Sequence, residues 1–205
     1  MTELSATSLA ARGVAYADAI ATTARDHGLD PALLAAVAAQ ETGGPGSNAG
    51  RNVVGDGGHG RGLFQIDDRY HPFARTSAAM DPSRNAEYAA GMLSGLIRRY
   101  GGVRRALSAY DAGDPNATGT GTRWSDGATL GYADSILRHE RLINGASVEE
   151  TARDELASAA SSVGALASQA ASLLPLPLPA PAHIRSFRDV VTNDHADRDQ
   201  DSNLP

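Results

Sequence analysis

At 205 residues, with 41% hydrophobic and 20% charged side chains, the chain is long enough for one well-filled domain and an appendage. A net charge of -6 argues against nucleic acid as the default partner, because phosphate binding needs a cationic surface. The absence of cysteine excludes disulfides, thiolate zinc sites and a cysteine nucleophile, and no run approaches the roughly 18 apolar residues of a membrane span.

The N-terminal stretch has an acidic residue near its start and no apolar h-region, so no Sec signal is expected. Residues 8–27 carry Val14, Ala17, Ile20 and Ala24 at helical spacing, with His27-Gly28 as a stop. Asp30 followed by Pro31 is an N-cap with proline at the first helical position, and it opens a second helix that reaches Glu41 and ends at "TGGPG". From 43 to 72 the chain is glycine-rich and irregular, except that "LFQID" fits a short strand or one helical turn. Asp81-Pro82 repeats the start signal for a helix closing at Tyr100-Gly101-Gly102. Val103–Tyr110 reads as a short helix, the following segment as a loop, and Thr129–Leu142 as a last helix. The fold class is therefore mainly α, in a domain spanning residues 1–145 with a long loop after its second helix.

After residue 145 the composition shifts. Ser147 and Glu150 form a capping box for an Ala/Ser-rich helix over 146–174, which either folds back on the domain or binds a partner. Residues 175–205 read as a proline-rich spacer and a disordered charged tail.

Leu34, Val37, Ala38 and Glu41 share one helical face, which places a carboxylate where the helix is buried. Either Glu41 is the first polar residue past the core, or it has a chemical task. Loss of water and the negative end of the helix dipole would both raise its pKa, as a general acid requires. Asp56 and Asp67 bracket a glycine loop able to fold back over the helix end. One buried acid with ionised carboxylates across a cleft is the arrangement for cleaving a glycosidic bond. The loop lacks the Gly-Lys-Ser/Thr of a Walker motif and the ligands of a calcium loop, and His59 and His71 have no metal-binding frame, so neither metal nor cofactor is expected. Asp68 is expected to be solvated or paired with Arg69.

"AVAAQET", then "GDGGHGRGLFQIDDRYHP", then "ALSAYDAG" resemble, in that order, the goose-type lysozyme and SLT-like lytic transglycosylase superfamily, over about residues 10–145. The resemblance implies a lysozyme-like helical domain, with Glu41 as the general acid acting on peptidoglycan between N-acetylmuramic acid and N-acetylglucosamine. Gly62-Leu63-Phe64-Gln65 stands at the family's Gly-Leu-Met-Gln, so Gln65 would bind substrate or brace the cleft, with Gly62 beside it. Tyr110-Asp111 stands in the family's Ala-Tyr-Asn-Ala-Gly, with Asp111 in place of asparagine. Tyr110 and Tyr132 either line the cleft or are core aromatics, and His71 is a further candidate for substrate binding.

Lytic transglycosylases work with the glutamate alone and release a 1,6-anhydro sugar. Goose-type lysozymes have aspartates matching Asp56 and Asp67, so the expectation is an inverting hydrolase with Asp67 as base and Asp56 as its helper. A transglycosylase and a non-catalytic wall-binding module are the alternatives. A wall-cleaving domain without a Sec signal would be delivered by a holin, a phage particle or a dedicated secretion system, with residues 146–205 contacting a delivery, secretion or immunity protein.

Overall fold

A computed structural model describes residues 4–145, so the expectations for 146–205 lie outside the described residues. Among the described residues six α-helices carry the fold: α1 (Ala6–Ala11), α2 (Ala17–Asp26), α3 (Pro31–Ala38), α4 (Pro82–Tyr100), α5 (Val103–Ala112) and α6 (Tyr132–Ile143). Between α3 and α4 lies an antiparallel sheet of β1 (Val53–Gly55), β2 (Gly60–Gly62) and β3 (Ile66–Asp67), and a hairpin of β4 (Thr122–Arg123) and β5 (Thr129–Leu130) precedes α6. The mainly α class expected from sequence is the class observed. No helix among the described residues is long and apolar enough to cross a membrane.

Two of the helix starts follow the expected chemistry. The Asp30 carboxylate accepts from the Ala32 amide at 2.8 Å and the Asp81 carboxylate from the Arg84 amide at 2.9 Å, each ahead of a proline at the first helical position. The single helix expected over 8–27 is two, because Gly13 at φ +82° breaks it and Tyr16 restarts the chain from a left-handed conformation. The last helix begins at Tyr132, three residues later than expected, since Thr129 and Leu130 pair with Arg123 and Thr122.

Helix α3 departs from a one-sided stripe: all eight residues from Pro31 to Ala38 are buried. It packs against α2 and antiparallel to α6, with the glycine loop closing its end. Ile20, Leu34, Leu63, Phe64, Leu93, Leu107 and Ile136 form the surrounding core.

The loop is fastened from α4 by Asn85, which is fully buried. Its Oδ1 accepts from the Phe64 amide at 2.8 Å, while Nδ2 donates to the carbonyls of Arg61 (3.0 Å) and Ala79 (2.9 Å). Truncation strands two buried backbone groups and a part-buried one, each costly when unpaired. We expect Asn85→Ala to destabilise by about 3 kcal/mol and to lower the melting temperature by roughly 10 °C in a calorimetric scan. A shift within error would refute the fastening role.

Candidate active site

The α3 helix does not stop at Ala38 but widens into a π-turn, Ala39–Gly43, which carries Glu41. Thr42 ties this turn to the glycine loop. Its hydroxyl donates to the carbonyls of Ala38 (3.1 Å) and Leu63 (3.3 Å) and accepts from the Arg51 amide at 2.7 Å. The loop therefore folds over the helix end, as its glycine content suggested.

Glu41 is half-buried, and the hydroxyl of Tyr132 at the start of α6 donates a hydrogen bond to its carboxyl. Burial raises the Glu41 pKa to about 7; the Tyr132 hydrogen bond opposes the rise and the nearby Asp111 charge adds to it. Tyr110 stacks on Tyr132 with ring centroids 6.4 Å apart, and its hydroxyl points to the Phe64 carbonyl at 3.5 Å. Burial, together with the Glu41 charge, pushes both phenols well above their ordinary value. Glu41, Tyr110 and Tyr132 are thus one cluster, with Asp111 within electrostatic reach. Asp111 also orders the loop after α5, accepting from the Thr120 amide (2.7 Å) and hydroxyl (3.0 Å).

The aspartates form a second cluster around Arg69. Its Nη2 donates to Asp56 at 2.5 Å and to Asp67 at 2.6 Å, and its Nε lies 3.0 Å from both Asp67 oxygens. These hydrogen bonds hold the Asp67 carboxyl below its ordinary pKa. Asp56 is exposed and stands in a left-handed backbone conformation, φ +45°. Asp68 is not the partner of Arg69. The β2–β3 hairpin sets it opposite His59, so it pairs with His59 Nδ1 at 2.8 Å and Arg61 Nη2 at 3.1 Å. His59, Asp67 and Asp68 offer ligand atoms within 4.8 Å of one another, but Arg61 and Arg69 already supply the positive charge there.

Three further candidates have structural partners. The Gln65 amide nitrogen donates to the carbonyls of Val53 (3.1 Å) and Gly62 (2.8 Å), so Gln65 braces the sheet. Its carboxamide lies across the paired Gly55 and Gly60, where any Cβ would collide with it; the glycines make room for Gln65 rather than for a sugar chain. Gly62 is buried against the Asn85 side chain at φ +79° and so has no face for substrate. His71 turns to Tyr88, with Nδ1 3.0 Å from the phenol oxygen, and burial lowers its pKa.

Sequence reasoning passed over Gln40, next to the acid. Its carboxamide accepts from Ser135 Oγ at 2.6 Å and donates to Thr122 Oγ1 at 2.7 Å, while the Trp124 indole donates to Ser135 Oγ at 3.1 Å. Tyr132 and Ser135 lie one turn apart on α6, so this helix grips two successive side chains of the π-turn. The only local signal was a polar residue before the glutamate in "AAQET".

A family model described as "Transglycosylase SLT domain" matches residues 18–124, just over half of the chain. The chain belongs to the SLT transglycosylase family. This is a lysozyme-like, peptidoglycan-cleaving family, so peptidoglycan of the cell wall is the substrate class. No curated protein matches the chain. The matched SLT segment holds Glu41, the glycine loop and Asp111 but ends before α6, so the grip of Tyr132 and Ser135 stands on the structure alone.

The raised Glu41 pKa has a thermodynamic consequence. Between about 4.5 and 7 the folded chain holds a proton that the unfolded chain has released, so this group's stabilising contribution is complete at low pH and is lost as pH rises through 7. We expect Glu41→Gln, which needs no ionisation, to melt higher than wild type at pH 8, with the gap closing at pH 4. A gap that does not change with pH would contradict the burial argument. Ser135→Ala unfastens Gln40 without touching Glu41. We expect about a tenfold fall in kcat with little change in KM on peptidoglycan, whereas unchanged kcat would remove Ser135 as a positioning residue.

Proposed function

We propose that this chain hydrolyses the β-1,4 bond between N-acetylmuramic acid and N-acetylglucosamine, with Glu41 as general acid and Asp67 as general base. The observation that carries this reading is the opposite displacement of two carboxyls: burial raises Glu41 to about 7, and Arg69 holds Asp67 low. Environments that drive two carboxyls apart in this way mark acid and base.

Protonated Glu41 gives its proton to the glycosidic oxygen as the bond to the anomeric carbon breaks, and N-acetylglucosamine leaves with its 4-hydroxyl restored. Charge develops on the anomeric carbon and ring oxygen of N-acetylmuramic acid. A water attacks that carbon from the opposite face and passes its proton to ionised Asp67, giving inversion. Solvent then returns a proton to Glu41 and takes one from Asp67. Asp56 shares the Arg69 guanidinium and so sets the charge around the base. Tyr110 and Tyr132 flank the acid and keep water from it.

The second reading, lytic transglycosylation, draws on the same cluster. Arg69 engages both oxygens of Asp67, which makes it a weak base and leaves Glu41 to take the proton from the 6-hydroxyl of the sugar itself. The domain boundary at residue 145 and delivery of the enzyme through 146–205, by a holin, phage particle or secretion system, belong to this proposal too.

Digestion of purified peptidoglycan tests it. We expect wild type to release muropeptides, Glu41→Gln to lose at least about 10³-fold in rate, and the products to carry one water per cleaved bond by mass spectrometry. Equal rates for wild type and Glu41→Gln would end the catalytic reading, and products of anhydro mass would replace hydrolysis with transglycosylation.

A further inference from the structure

The net charge of -6 is unevenly distributed along the chain. Residues 4–145 hold 14 arginines and 14 aspartates and glutamates, whereas 146–205 hold four arginines and nine acids. The folded body is thus neutral overall, and at one place it is strongly cationic. The end of α4 and the start of α5 read "RRYGGVRR", and Arg98, Arg99, Arg104 and Arg105 are all exposed.

Helix structure accounts for half of this patch. Arg98 and Arg99 sit in the last turn of α4, where a cation meets the negative end of the helix dipole. Arg104 and Arg105 sit in the first turn of α5, the end that disfavours cations, and no acidic residue shares that turn. Arg104 pairs with Asp134 of α6. Arg98, Arg99 and Arg105 have no carboxylate partner among the described residues. The mutual repulsion of these guanidinium groups is offset by the α4 dipole for Arg98 and Arg99 and by Asp134 for Arg104, whereas Arg105 faces the α5 dipole with no carboxylate partner among the described residues.

The patch also has a definite position. Asp134, which holds Arg104, is two residues beyond Tyr132, the hydrogen-bond partner of Glu41, so the arginines border the helix that supports the acid. We infer that the α4–α5 turn is a docking surface for an anionic polymer of the cell wall, of the phosphodiester class, lying alongside the glycan that Glu41 addresses. Guanidinium forks match phosphate oxygens bidentately and keep their charge at any physiological pH. A repeating phosphodiester offers several such charges in succession to the four arginines gathered at this turn. Nucleic acid is the poorer fit: Tyr100 is the one aromatic of this segment, and the Arg99 guanidinium stands over its ring at 5.4 Å. The inference rests on the proposed function only for the choice of a wall polymer, since binding can be measured without turnover.

Inorganic polyphosphate is the probe, titrated into the full-length chain at low and at moderate salt. We expect wild type to bind with an affinity that falls steeply as salt rises. Arg98→Gln/Arg105→Gln, which leaves the Arg104–Asp134 pair intact, should bind at least about tenfold more weakly and with a salt slope smaller by about two. Because both side chains are exposed, an unchanged melting temperature certifies the fold of the variant. Equal binding by wild type and variant overturns the inference. So does tighter binding of a DNA duplex of matched charge. If wild type fails to bind while a full-length variant with Asp194, Asp197, Asp199 and Asp201 changed to asparagine does bind, the chain's own acidic segment is the occupant and the wall-polymer assignment falls. Failure of both to bind overturns it as well.

Discussion

The site is organised by the cost of placing a carboxyl at the end of a helix that is buried on every side. Helix α3 offers no polar face, so a glutamate emerging from it loses water before it gains a partner. The chain meets this cost in two ways. The carboxyl keeps its proton to near neutrality, and a single phenol from α6 supplies the compensating hydrogen bond. Everything else around the acid serves to hold those two groups face to face.

That holding is done in pairs across the antiparallel contact of α3 and α6. Tyr132 takes Glu41, Ser135 takes Gln40, and the Gln40 carboxamide continues to Thr122 on the hairpin that leads into α6. From the π-turn two adjacent side chains reach the same neighbouring helix. On the other side, Thr42 and Asn85 anchor the glycine loop to α3 and α4, so the acid lies between two fastened segments. A helix end that would fray in isolation is fixed from both sides.

What was legible in the sequence was local. Asp30-Pro31 and Asp81-Pro82 announce their helices because cap and proline act within one turn, whereas the i, i+3, i+4, i+7 spacing assumed a one-sided α-helix and could show neither that α3 is buried all round nor that Glu41 sits on a π-turn. What was hidden depends on partners far along the chain. Gln40 meets a residue 95 positions away and Asn85 meets a loop 21 positions earlier, and no periodicity encodes either. The break at Gly13 escaped because Val14 and Ala17 continue an apolar pattern across it, and strands of two residues, as in β4 and β5, are too short to have a period. The glycines at 55 and 60 make room for Gln65 of the same loop, which the order of residues alone could not say.

The two carboxyl clusters also differ in the physics that sets them. Glu41 is displaced chiefly by desolvation at the half-buried end of α3, an effect that dissolved ions screen less than they screen surface charge pairs. Asp67 is displaced by hydrogen bonds and charge from Arg69, whose side chain is 47% exposed and shared with the still more exposed Asp56. Salt therefore weakens the influence on Asp67 more than that on Glu41, and substitutions at the surface act on the Asp67–Arg69 cluster long before they act on the Glu41 cluster. An acid fixed by the core and a carboxylate held by an exposed guanidinium can be tuned independently, one by repacking α3 against α6 and the other by altering a single arginine.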